Sequence, residues 1–140
     1  MLDISQLLHE LTNIKRSINL MIRSGKQLEA IERLQEVAIK SFELSLADVR
    51  QMPPKDLLVL LVYHRQLNGF QLFVLAELLL QEAQAHYELK KFEVSRKGFE
   101  FSTIIFQYLQ QNRKKPEGFN VDTGDMIALG LDMIRKIGDK

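Results

Sequence analysis

Apolar residues recur at intervals of three and four along almost the whole chain, the period of one face of an α-helix. Ile4, Leu7, Leu8, Leu11, Ile14, Ile18, Met21 and Ile22 form the first stripe, with Asp3 placed as N-cap and Gln6 three residues on as its capping-box partner. Gly25 ends that segment. A second stripe begins near Gln27 with Leu28, Ile31, Leu34, Val37, Ala38 and Phe42; it carries Glu29, Glu32, Arg33, Glu36 and Lys40 on the opposite face and fades near Leu46. Pro53-Pro54 forbids helix continuation but suits a helix start, so a short helix is predicted over about 54–67. Its run Leu57 to Tyr63 is apolar all round, the pattern of a helix buried on several sides. A buried strand is the rival for seven apolar residues; the abundance of Leu and the helical neighbours favour helix. Asn68-Gly69 then offers a left-handed C-cap.

The next helix, about 70–90, changes from nearly all apolar (Leu72 to Leu80) to mixed (Gln81, Glu82, Gln84, His86, Glu88), which predicts a deeper first half. A further helix over about 92–111 has apolar residues on two faces. After the polar segment 112–120, Asp122 or Thr123 can cap a last helix that ends near Ile137. The reading is an all-α fold of about six helices in one domain over 1–140: a first hairpin at about 4–46, a connecting helix at about 54–67, a second hairpin at about 70–111 and a C-terminal packing helix at about 123–137.

One hundred and forty residues can bury roughly two thirds of the unfolded chain's surface, so packing alone can stabilise them. Nineteen basic against eighteen acidic residues leave a formal charge of +1, which gives no broad field to steer the chain toward nucleic acid or an anionic membrane. The absence of Cys removes a thiol nucleophile, a thiolate metal site and a disulfide framework, and fits a reducing compartment. The N-terminus carries an acid where a secretory signal carries positive charge, and the most apolar stretches are too short or too interrupted to span a bilayer. The expectation is a cytoplasmic protein.

Two segments share a helix-turn-helix signature. Gly25 stands in the first turn, with Ala30, Leu34 and Val37 following at five, four and three residues; Lys90 stands in the second, with Ser95, Phe99 and Ser102 at the same spacings and Ala83 in the preceding helix. A small residue lets two helix backbones approach while a large one fills the hole between them. The spacing resembles the tetratricopeptide repeat. The wider pattern joins Ile14 to Phe42, Glu43-Leu44-Ser45-Leu46, the Pro54-Lys55-Asp56-Leu57-Leu58 segment, and Leu75 to Tyr108. Over about Ile4 to Tyr108 it resembles a family of short bacterial proteins, a domain of unknown function with tetratricopeptide-like helices. That resemblance implies a bacterial, Gram-positive, cytoplasmic helical protein and assigns no chemistry.

Motifs for catalysis are sparse. No GxSxG, P-loop or GxGxxG occurs. Glu82 and His86, four residues apart, share a helical face at the spacing of two metal ligands, but no third ligand accompanies them; no metal or cofactor is expected. Asp122-Thr123-Gly124-Asp125 is explained by helix capping, and Arg113-Lys114-Lys115 by the dipole at a helix C-terminus. The aromatic residues Phe99, Phe101, Phe106 and Tyr108 sit at core spacing, so nucleic acid is not expected as a partner.

The leading functional expectation is a non-catalytic protein-interaction or scaffold module, with Glu82, His86 and Arg96 as the groove residues that meet a peptide or partner helix. The alternative is a small-molecule-binding or enzymatic bundle with an internal pocket lined by Tyr63, His64, His86 and Tyr87. The apolar residues of 57–62 and 72–80 exceed what a short C-terminal helix can cover, which predicts a two-fold homodimer.

Overall fold

The computed structural model describes residues 4–115 and 119–138, so the capping role expected of Asp3 lies outside the described residues. The fold is all-helical. Helix α1 (Ile4–Arg23) and α2 (Gln27–Phe42) form the first hairpin, closed by Gly25 at φ +76°. Their connector to the second hairpin holds α3 (Leu46–Gln51) and α4 (Pro54–Leu58), and α4 widens into a π-helical turn over Val59–His64. Helices α5 (Gly69–Glu88) and α6 (Phe92–Asn112) make the second hairpin, and α7 (Gly124–Gly138) packs on α6.

Helix α5 is central. It pairs with α6 along its length and meets α2 and α1 on its other sides, and one hydrophobic cluster takes residues from all seven helices and the π turn. The expected contrast between its halves is absent: burial continues through Gln81, Glu82, Ala83, Ala85 and His86, because α3 and α6 cover polar residues there as fully as apolar ones. The apolar excess of α5 is therefore covered within the chain. Phe119, in the connection to α7, completes that cover with edge-on and tilted contacts to Phe70 and Phe73, both at 5.4 Å between ring centroids.

Three local features differ from the sequence reading. Helix α3 was not expected; Ser45 opens it by accepting a hydrogen bond from the Asp48 N–H. Asn68 does not cap the preceding helix in the left-handed region. It is the N-cap of α5, and its side chain and that of Gln71 close a reciprocal capping box at 2.8 and 2.9 Å. The left-handed residue that turns the chain is instead Gln66, at φ 53°. The run 57–63 is buried on one side: Leu57 and Leu61 face the core, while Val59 and Tyr63 are exposed. The connector holds to the body through Arg65, whose guanidinium donates to the carbonyls of Phe42 and Glu43.

The small residues of the second hairpin mark a close helix approach. A Cβ at Gly98 would stand 2.9 Å from Ala83 Cβ, and the buried Ser95 hydroxyl donates to the Ala83 carbonyl at 2.8 Å. Neither neighbour can yield without moving a backbone. Ser95→Leu is expected to cost about 1–3 kcal/mol by overpacking, and Gly98→Ala to fall in the same range despite the better helix propensity of Ala. Urea denaturation of the two variants checks this, and wild-type midpoints would remove the close approach from the account. A second approach joins α6 to α7, where a Cβ on Gly130 would run into Thr103 Oγ1. The connection before α7 is fixed by Thr123, whose buried hydroxyl donates to the Phe106 carbonyl at 2.8 Å, while Asp122 accepts from the Gly124 N–H.

Candidate functional site

Three helices line one cleft. Asn19, Ile22 and Arg23 of α1, Gln84, Tyr87 and Glu88 of α5, and Met133 of α7 surround about 400 Å³. Helices α2 and α6 contribute nothing to its wall. Helix α1 meets α5 directly, and α7 reaches the cleft from its seat on α6. Asn19 and Arg23 are one turn apart, as are Gln84 and Glu88, so each helix offers a carboxamide and a charge along the same face. A carboxamide carries two donors and an acceptor, the complement of a peptide group. Ile22, Met133 and the Tyr87 ring supply the apolar part of the wall, with Tyr87 held edge-on by Phe92 at 5.5 Å.

The residues expected to form the groove lie elsewhere. Glu82 is 0% exposed and His86 7%, so neither can meet a partner at the surface, and Arg96 sits on the outer side of α6 in an ion pair with Glu100 at 3.8 Å. The structure does not bring the three together at one surface. Glu82 is instead paired with Arg50 of α3, whose side chain is 11% exposed. Burial raises the Glu82 pKa above its ordinary value, and the charge and hydrogen bond of Arg50 oppose that rise in part. Burial, with Arg50 and Lys91 nearby, lowers the His86 pKa to about 4, so the imidazole is neutral near pH 7. Neither His86 ring nitrogen, nor Glu82 Oε2, has a hydrogen-bond partner within the protein. Glu82 and His86 share their face as the spacing requires, yet among the described residues no group of three His, Cys, Asp or Glu forms that could hold a metal.

The pocket expected from Tyr63, His64, His86 and Tyr87 is not formed. Tyr63 (75% exposed) and His64 lie on the outer side of the π turn, His86 faces the core, and the cleft that Tyr87 lines includes none of the other three. Arg50 also borders a second, smaller cleft of about 210 Å³ with Ala47, Gln51, Glu93, Val94 and Lys97.

Sequence reasoning passed over Asn19, Arg23 and Gln84 because polar residues on amphipathic helices read as solvated faces. The available signal was the paired spacing, Asn19 with Arg23 and Gln84 with Glu88, at the same end of the first helix of each hairpin. No helix among the described residues is long and apolar enough to cross a membrane. Compared with protein-family models, curated proteins and solved structures, the chain matches none of them.

Proposed function

We propose that the chain is a non-catalytic interaction module of tetratricopeptide-like type, and that the α1/α5/α7 cleft takes an extended segment of a protein partner. One observation carries the reading: three helices, α1, α5 and α7, present carboxamides, opposite charges and apolar side chains to a single cleft. Asn19 and Gln84 pair with peptide groups of the segment, Arg23 and Glu88 set its direction through its charges, and Ile22, Tyr87 and Met133 take an apolar side chain. The titratable cluster of Arg50, Glu82 and His86 supports the non-catalytic part of the proposal, because the Glu82 carboxylate is sealed from any substrate. The close approach of Ala83, Ser95 and Gly98 supports the tetratricopeptide likeness, and the bacterial family with its cytoplasmic setting belongs to the same proposal.

A photo-crosslinking amino acid at Gln84 tests this in the native host. A discrete adduct is expected from Gln84, reduced several-fold by Arg23→Glu, with no such adduct from the same probe at Glu32, an exposed position on α2. Identical products from both positions, or an adduct indifferent to Arg23→Glu, would overturn the assignment of the cleft.

A further inference from the structure

Of the five asparagines only Asn68 precedes a glycine; Asn13, Asn19, Asn112 and Asn120 are followed by Ile14, Leu20, Arg113 and Val121. An asparagine carboxamide is open to attack by the next residue's backbone nitrogen, and a side chain on that residue hinders the approach; glycine has none. The fold sets two opposing influences on this pair. Gly69 is the first residue of α5. The first N–H groups of a helix have no acceptor within it, and the positive end of the helix dipole favours the negative charge that an attacking amide nitrogen carries. Asn68 is exposed, so base and water reach it. Against this, the carboxamide is held: Asn68 Oδ1 accepts from the Gln71 N–H at 2.8 Å, and the Asn68 N–H donates to Gln71 Oε1 at 2.9 Å. Closing a ring onto the Gly69 nitrogen requires a turn about the Asn68 Cα–C bond, whose ψ of 175° is the extended conformation that the cap uses, and that turn takes Oδ1 off the Gln71 N–H.

We propose that Asn68 is a site of spontaneous deamidation whose rate is set by the capping box at the start of α5. The Gly69 nitrogen gives its proton to base and bonds to Asn68 Cγ. The bond from Cγ to the side-chain nitrogen then breaks, and ammonia leaves with a proton taken from water. The product is a cyclic imide across Asn68 and Gly69. Water reopens it in one of two ways. Breaking the bond from Cγ to the ring nitrogen gives aspartate; breaking the bond from the main-chain carbonyl carbon to that nitrogen gives isoaspartate, in which the chain runs through the former side chain. One water enters and one ammonia departs, with no change of oxidation state. The two products differ in their effect on the fold. Aspartate is as good an N-cap as asparagine and adds a negative charge at the helix N-terminus. Isoaspartate lengthens the main chain by one carbon between Leu67 and Phe70, both buried in the core, and so withdraws the cap and the register of the central helix together. The box thus guards α5 against a covalent lesion at its own first turn, and admits the lesion whenever that corner opens.

Incubation of the full chain at mildly alkaline pH, in buffer and in concentrated urea, tests this, with peptide mapping by mass spectrometry to follow conversion of each amide to acid and chromatography to separate aspartate from isoaspartate. In urea, Asn68 is expected to convert several-fold faster than Asn13, Asn19, Asn112 and Asn120, and Gly69→Ala to remove that lead; this comparison does not depend on whether the variant folds. In buffer, Asn68 is expected to convert several-fold more slowly than in urea. Gln71→Ala, with circular dichroism as the check that it is folded, is expected to recover several-fold of that rate in buffer and to leave the rate in urea unchanged. Gln71→Glu keeps an acceptor for the Asn68 N–H and is expected to convert at the wild-type rate. An Asn68 no faster than the other asparagines in urea overturns the modification site. Equal wild-type rates in buffer and urea, or a folded Gln71→Ala that converts no faster than wild type, overturns the control by the capping box.

Discussion

Arg50→Ala is expected to destabilise the fold by about 3–5 kcal/mol, the range found when one member of a buried ion pair is removed and the other left uncompensated. Glu82 cannot reach water, being wholly enclosed by α3, α5 and α6. It can escape part of the penalty by taking up a proton, which its raised pKa already favours, so the loss is expected to be smaller at pH 5 than at pH 8. The double variant Arg50→Met with Glu82→Leu is expected to recover wild-type stability or exceed it, because the apolar pair carries no desolvation cost. Guanidinium denaturation of both variants at the two pH values decides this. A loss below about 1 kcal/mol for Arg50→Ala at pH 8 would mean that the pair behaves as a surface contact.

Acid sensitivity is expected to pass through His86. Its folded-state pKa, lowered to about 4, lies below the ordinary value near 6.5, so its neutral form is the one the fold accepts. The stability contributed is fully present above pH 6.5 and is lost as pH falls from there to about 4, by at most about 3 kcal/mol at 1.36 kcal/mol per pKa unit. Glu82 acts in the opposite sense: its raised pKa means that the fold is penalised as pH rises above the ordinary carboxylate range and relieved as it falls. In His86→Leu the acid-side loss is expected to vanish and the relief at Glu82 to remain, so that stability rises modestly from pH 7 to pH 5. Unfolding free energies measured at half-unit steps test the sign, and a variant that keeps the wild-type profile would assign the acid limb to other groups.

The periodic helices were legible because each carries a long stripe: the bounds of α1, α2, α5, α6 and α7 fall within a few residues of those expected. Helix α3 was not, since Leu46 to Gln51 offers too few residues for a period to register; Ser45 with Asp48 three residues on was its one local sign. Asn68-Gly69 was read backwards because the same residue types favour both ends of a helix, and only the reciprocal partner Gln71 separates the cases. The π turn left no trace in the pattern at all. The candidate site was less legible than the fold. Glu82 and His86 were rightly placed on one face, but their burial depends on Arg50, 32 residues away from Glu82 in the chain, and spacing within α5 carries no information about α3. The cleft is likewise a product of stacking: Asn19, Gln84 and Met133 belong to three separate helices, and nothing local to any of them announces the others.

The central position of α5 bears on how this chain can come apart. Stacked-helix proteins whose units touch only their neighbours can lose an end unit and keep the rest. Here one helix lines the core for the first hairpin and α6 together, and Leu75, Ala76, Leu79 and Ala85 lie fully inside it. Removing the first hairpin, or α6, strips a face from that helix and exposes a band of leucines to water. Unfolding is accordingly expected to be all-or-none rather than stepwise, so that neither hairpin serves as an independent building block.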